Sequence, residues 1–201
     1  MTYRRKDPYY RRAKAAGYRA RSAYKLEELD RRFQLLAPGN RVVDLGAWPG
    51  GWLQVALDRV GPTGHVIAID LEPIEPLAAP NVSLVTGDIR DPDIVAAARA
   101  GLGRAADVVL CDVAPKLTGV RATDEARRAE LVDAVLAALP LLLAQGGRLL
   151  LKLFMDAEQK RIVGQLRSCF SQVRLTRPEA SRAGSAELYA IASGYRGTPI
   201  A

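Results

Sequence analysis

Val42-Val43-Asp44-Leu45-Gly46-Ala47-Trp48-Pro49-Gly50-Gly51-Trp52 decides the reading of this chain. An apolar run ends in an acid, a glycine-rich turn follows, and a helical pattern begins. This is the entrance to a nucleotide-type cofactor site in an α/β sheet. Glycines let the backbone approach a ligand closely, and the next helix N-terminus presents free N–H groups. The spacing is not Gly-x-Gly-x-x-Gly, and no Lys-Ser/Thr pair is present to clamp a triphosphate. An acid before a turn without a phosphate clamp suits a cofactor with an amine and a carboxylate. S-adenosylmethionine is the common one. The competing reading of these residues is an ordinary tight β–α turn.

The pattern on either side predicts the fold. Upstream, Ala23, Leu26, Leu29, Phe33 and Leu36 recur at helical spacing, with Ser22 placed to cap the helix and Pro38-Gly39 to end it. Five strand-like runs are expected at 41–46, 65–70, 82–86, 107–112 and 147–154, with helices at 51–60, 92–100 and 123–143 between them. Alternation of this kind implies a mostly parallel, doubly wound sheet. Pro140 should kink or end a turn of the last of these helices. A helix near 156–169 and two runs at 171–176 and 187–193 complete the chain. The short link between those runs, near Pro178 to Ser185, predicts antiparallel pairing. The expected architecture is Rossmann-like, a seven-stranded mostly parallel sheet with an antiparallel edge hairpin.

Ligands in such sheets bind at the carboxyl ends of the strands. Asp70 closes strand two, Asp88 follows strand three and Asp112 closes strand four. An acid after strand two can accept both ribose hydroxyls, and one after strand three an adenine amine. A single acid in such a place is commonly a helix N-cap; three in series after a glycine turn favour a cofactor. Lys152 lies inside Leu149-Leu150-Leu151-Lys152-Leu153-Phe154, otherwise a buried central strand. Lysine is seldom buried without a partner, and burial or a neighbouring cation makes a lysine a general base at neutral pH. The competing reading is an edge-strand lysine that snorkels to solvent.

The charge is unevenly placed. Of 29 basic and 22 acidic residues, eight basic and one acidic fall in the first 21 positions, and the other 21 of each sign cancel. The whole formal excess of +7 therefore sits in residues 1–21, interleaved with Tyr3, Tyr9, Tyr10 and Tyr18. Arginines neutralise phosphates and tyrosines stack on bases, so this segment reads as a nucleic-acid arm, with a solvated tail as the alternative. Two cysteines and one histidine make neither a disulfide framework nor a metal site. No apolar run reaches membrane-spanning length, and the basic N-terminus lacks the apolar core of a signal peptide. A reducing cytoplasm is the expected compartment.

Four stretches carry a resemblance. Asp44-Leu45-Gly46-Ala47-Trp48-Pro49-Gly50-Gly51-Trp52, Asp112-Val113-Ala114-Pro115, Leu151-Lys152-Leu153-Phe154 and Ser185-Ala186-Glu187-Leu188-Tyr189 resemble the FtsJ/RrmJ (RlmE) ribosomal RNA 2′-O-methyltransferases. Ser22-Ala23-Tyr24-Lys25-Leu26 is similar to the N-terminal helix motif of that family, and the likeness runs from about residue 17 to 194. The resemblance implies a catalytic tetrad of Lys25, Asp112, Lys152 and Glu187 around the target ribose hydroxyl, with Lys152 as base and Asp112 holding it. It implies S-adenosylmethionine contacts from Gly50, Trp52, Asp70, Asp88 and Asp112, with no metal. The implied substrate is a ribose, a uridine's in the usual case, in large-subunit 23S ribosomal RNA, free or within an assembled large ribosomal subunit. A transfer RNA or other RNA ribose is the alternative substrate. The expected protein is a monomer with a basic RNA-binding arm over 1–21 and a methyltransferase domain over 22–195. Two positions depart from the family pattern: Trp48 stands where a small residue is usual, and Lys116 where asparagine is usual. The indole of Trp48 is expected to turn away from the cofactor.

Overall fold

The apolar run before the glycine turn forms strand β1 (Arg41–Leu45) in the computed structural model, which describes residues 8–116, 118–181 and 184–197. Val42, Val43 and Leu45 are at most 1% exposed because β1 is paired on both sides. It lies parallel to β2 (His65–Asp70) and to β4 (Ala106–Cys111), with Val43 opposite Ile67 and Val109. Strand β3 (Val82–Thr86) extends the sheet beyond β2, and β5 (Leu143–Phe154) extends it beyond β4. The order β3-β2-β1-β4-β5-β7-β6 reverses direction between β1 and β4. That reversal opens a crevice at the carboxyl ends of the two strands, where open α/β sheets hold their ligands.

Strand β7 (Glu187–Tyr195) runs antiparallel to both β5 and β6 (Phe170–Thr176). The link at 177–186 is too short for the helical crossover that a parallel pair needs, so the chain turns back. The expected edge hairpin is present, but its second strand inserts between β5 and β6. This places Glu187 opposite Phe154 and Tyr189 opposite Lys152.

Helices cover both faces. On one lie α2 (Ala23–Phe33) and α3 (Gly51–Val60), packed through Leu26, Leu29, Trp52 and Leu53. On the other lie α4 (Pro92–Leu102), α5 (Arg121–Leu142) and α6 (Gln159–Cys169), packed through Val95, Leu139 and Leu166. No helix among the described residues is long and apolar enough to cross a membrane.

Several boundaries differ from the sequence expectation. Helix α2 stops at Phe33, not at Pro38-Gly39, because Gln34 adopts a left-handed conformation (φ 52°) and Asp30 accepts the amide of Leu36 at 2.8 Å. Ser22 makes no side-chain cap; its carbonyl instead accepts the indole N–H of Trp52 at 2.8 Å. Helix α5 runs through Pro140 and stops at Leu142. Strand β5 starts early, pairing Leu143 with Ala106 before a register shift and regular pairing from Arg148.

The basic N-terminal segment is not a separate body over its described part. Residues 8–15 form helix α1 (Pro8–Ala15), and Ala13 is 2% exposed against Tyr24. Tyr9 packs on Tyr24 at 6.0 Å, and the Arg12 guanidinium lies 4.7 Å from the centre of the Tyr24 ring. Arg21 donates to the carbonyl of Ala180 at 2.5 Å. Residues 1–7, with Tyr3, Arg4, Arg5 and Lys6 of the expected arm, lie outside the described residues.

Candidate active site

The implied tetrad assembles around a fifth residue. Lys152 sits in β5 and is 9% exposed. Its Nζ donates to the backbone carbonyl of Asp112 at 2.6 Å and lies 3.1 Å from Asp112 Oδ1. Across β7, Lys25 Nζ of α2 donates to Glu187 Oε1 at 2.5 Å. Tyr189 joins the two pairs. Its hydroxyl lies 2.6 Å from Glu187 Oε1 and 3.0 Å from Asp112 Oδ1, and Lys25 Nζ donates to it at 3.3 Å. One phenolic proton cannot serve both acceptors at once, so Tyr189 donates to either carboxylate in turn.

The electrostatics follow from burial and pairing. Tyr189 is held well above the usual phenol range by burial, and the Asp112 and Glu187 carboxylates beside it add to the shift. It stays neutral and acts as a donor. Burial pushes the Glu187 carboxyl up, but the Lys25 ammonium and the bonds from Lys25 and Tyr189 outweigh it and leave the group below its ordinary value. These groups titrate together.

On the cofactor side the glycine turn closes tightly. Gly46 has φ 76°, and a Cβ there would lie 2.8 Å from the backbone nitrogen of Val113, so the turn and the loop after β4 meet only because residue 46 has no side chain. Asp70 accepts the amide of Trp48 at 2.9 Å through Oδ2 and that of Glu72 at 2.9 Å through Oδ1. Each oxygen keeps a lone pair for a ligand. Asp88 is engaged by the Arg90 guanidinium, 2.6 Å from Oδ2, and that bond lowers its carboxyl below the ordinary value. Arg90 in turn reaches Glu130 at 3.1 Å.

Two residues of the implied cofactor set have other duties. The side chain of Trp52 is 2% exposed and points to α2, with its ring 5.9 Å from that of Tyr189. What Trp52 can offer a cofactor is its backbone amide, in the open first turn of α3. Gly50 has φ 110°, and the space its side chain would fill holds Arg19, at 3.0 Å from a built Cβ. Arg19 donates to the carbonyls of Glu75 and Pro76, and its amide bonds Gln54 at 2.8 Å. It therefore clips the N-terminal segment to the loop after β2. Trp48 is 56% exposed, and its backbone amide is held by Asp70. Lys116 lies 3.6 Å from Glu72, joining the loops after β4 and β2.

The sequence marks Asp44 only as the acid of the turn, yet it is the most unusual group here. It is fully buried, and neither side-chain oxygen has a hydrogen-bond partner among the described residues. Burial pushes its carboxyl well above the ordinary value, and Asp112 and Asp70 push it further. A carboxyl that binds its proton more tightly folded than unfolded favours folding below its unfolded pKa. That contribution is lost as the pH rises from 3.8 toward the higher folded value. Asp44→Asn should therefore match the parent in thermal stability near pH 3.5 and exceed it increasingly above pH 4. Equal melting curves across that range would show that Asp44 carries no such strain.

Known proteins resemble this chain in sequence and fold. The FtsJ-like methyltransferase family model matches residues 18–195. A ribosomal RNA large subunit methyltransferase E from Methanothermobacter thermautotrophicus is 42% identical over 194 residues, covering 96% of this chain and 92% of its own length. The protein of the same name from Acidiphilium cryptum is 46% identical over 190 residues, covering 94% of this chain and 83% of its own. A crystal structure from Plasmodium falciparum, described as a ribosomal RNA methyltransferase, superposes with TM-score 0.79 at 26% identity, over 90% of this chain and all of the other. A fibrillarin from Aeropyrum pernix, solved with S-adenosyl-L-methionine, shares the fold at TM-score 0.59 and 18% identity.

Proposed function

Since the chain belongs to the FtsJ-like methyltransferase family, we propose that it transfers a methyl group from S-adenosylmethionine to a ribose 2′-hydroxyl, a uridine's, in large-subunit 23S ribosomal RNA. The observation that carries this reading is the bonded array Lys152–Asp112–Tyr189–Glu187–Lys25 at the carboxyl end of the sheet. A ribose hydroxyl is a poor nucleophile, so the reaction needs alignment and a proton acceptor. A small acidic nucleophile or a bare binding module would need no such set.

The residues beside the crevice fit the cofactor. Asp70 and Asp112 put negative charge on one side, and the buried Asp44 behind them has no hydrogen-bond partner among the described residues. That environment suits a ligand bearing an amine and a sulfonium. When bound, S-adenosylmethionine supplies an electrophilic methyl on sulfur, and its leaving group departs neutral. Asp70 would take the ribose hydroxyls, and Asp88, kept ionised and oriented by Arg90, the adenine amine. Lys25 and Glu187 would position the RNA hydroxyl. Lys152 would receive its proton at Nζ, held in place by the Asp112 carbonyl and carboxylate. As a neutral amine, Lys152 has two N–H donors for those two acceptors and one lone pair for the incoming proton.

The direct test is tritium transfer from labelled cofactor to total RNA, to ribosomal subunits and to small phenols. Label in large-subunit RNA, lost from the other pools, is the expected result. Label in phenols alone would overturn it, and label in transfer RNA would move the substrate. Mapping 2′-O-methyl positions in a deletion strain then identifies the nucleotide.

The cofactor assignment carries its own prediction. Asp88→Ala and Asp70→Ala should each weaken cofactor binding by about 1–3 kcal/mol, the usual cost of an unmade buried hydrogen bond. Calorimetry on the folded variants reads this. Normal affinity in both would reduce the two acids to turn and cap residues.

A further inference from the structure

On the α2 face of the sheet, away from the crevice, three arginines converge on an open groove of about 260 Å³. Arg148 comes from β5, Arg174 from β6 and Arg32 from the last turn of α2. Gln34, Gln172 and Ser193 add neutral donors and acceptors to its wall, and no acid lines it among the described residues.

The arginines are held toward the groove in different ways. Arg32 bonds Glu28 at 3.0 Å and reaches Thr176 of β6 at 2.9 Å, which fixes its guanidinium against the sheet. Arg148 donates to the carbonyl of Leu35 at 3.2 Å, a neutral acceptor that leaves its charge uncompensated. Asp107 is within electrostatic reach of Arg148, but both arms of Arg104 already hold it. Arg174 is exposed, and its side chain makes no hydrogen bond or ion pair among the described residues. Charge on an edge strand guards against edge pairing, which accounts for Arg174 alone. It does not require an interior strand and a helix end to point cations at the same space.

We propose that this groove binds a backbone phosphate of the RNA substrate, remote from the methyl-transfer centre. The inference rests on the RNA reading above and extends it. Ser193 lies six residues beyond Glu187 on β7, so the groove is roughly 20 Å from the tetrad at about 3.4 Å per residue. Guanidinium groups bind phosphate through paired, charge-assisted hydrogen bonds; Arg148 and Arg174 supply the donors for a phosphodiester, with Arg32 held beside them by Glu28 and Thr176. A long RNA with its target ribose at Lys152 can pass α2 and lay a phosphate here. The contact anchors the substrate and leaves the chemistry alone.

The test uses the full-length protein, a long large-subunit ribosomal RNA fragment and binding measured across a salt series. Arg174→Glu should bind the RNA about tenfold more weakly, the value of one charge-assisted contact. Its slope of log K against log salt should fall by about 0.7–0.9 for each phosphate released. Arg174→Lys should keep the slope. Cofactor affinity and the single-turnover rate at saturating RNA should not change in either. Wild-type affinity and slope in Arg174→Glu would overturn the proposal. So would saturable binding of inorganic phosphate that is lost in Arg174→Glu while the RNA slope is kept, since the groove would then serve a free anion. Binding is read without turnover, so the groove is judged even on RNA that accepts no methyl, the result that would bring down the parent reading instead.

Discussion

Lys152→Ala is expected to lower kcat for RNA methylation by about 10²–10⁴, the usual value of a general base, with cofactor affinity nearly intact. Lys152 is the one cation in the apolar stretch Leu149–Phe154, between Leu151 and Leu153, both at most 2% exposed. Its polar contacts to Asp112 orient it, and its Nζ is the group placed to take a proton. Lys152→Arg should fail almost as badly. A guanidinium keeps the charge but does not give up its proton near neutral pH. The two substitutions therefore separate two roles. Recovery of most activity with arginine would make Lys152 an electrostatic anchor. Single-turnover methylation near wild type in the alanine variant would remove the base assignment altogether.

Lys25→Met should cost about 3–5 kcal/mol of folding stability at neutral pH, because it strands a buried carboxylate. The Lys25 and Glu187 side chains are 11% and 13% exposed, and their nitrogen and oxygen are 2.5 Å apart. With the ammonium gone, only the Tyr189 bond and the Lys152 charge still oppose burial, so the Glu187 carboxyl rises from its present position. The deficit should then shrink as the pH falls and Glu187 takes up a proton. Lys25→Met/Glu187→Leu should recover much of the stability without recovering activity, since no buried charge is left unpaired. Denaturant melts at pH 7 and pH 4 measure both effects. A single-variant loss under about 1 kcal/mol at pH 7 would mean that water reaches the pair and screens it.

What was legible in advance follows from the physics of each element. Strands β1, β2 and β4 announce themselves because a doubly covered parallel strand must be apolar along its whole length. Their terminal acids stand out against that background, and so does Lys152. Tyr189 does not. A tyrosine in Leu188-Tyr189-Ala190 looks like ordinary core, and only the pairing of β7 with β5 sets its hydroxyl between Asp112 and Glu187. Asp44 was visible as an acid but not as an unpartnered one, because partners are a property of the assembled turn. Arg19 and Arg21 counted toward the basic arm, since charge alone does not separate a phosphate ligand from an intramolecular clip. Their acceptors are backbone carbonyls, which no side-chain pattern reveals. The groove of Arg32, Arg148 and Arg174 was hidden for a related reason. Its members lie far apart in the chain and meet only through the insertion of β7.

The pair that closes the site joins residues 162 positions apart. Lys25 is among the first described residues to be synthesised, and Glu187 among the last. A nascent chain therefore carries the glycine turn long before it carries Glu187, the group proposed to orient the substrate. The central strands can pair while β7 is still unmade, but no ribosome-bound chain short of Glu187 owns the whole of the proposed catalytic array. Premature termination anywhere upstream should yield protein with part of the sheet and no turnover. Appearance of activity during translation should accordingly follow emergence of Glu187, and lag behind the first protease-resistant fragment.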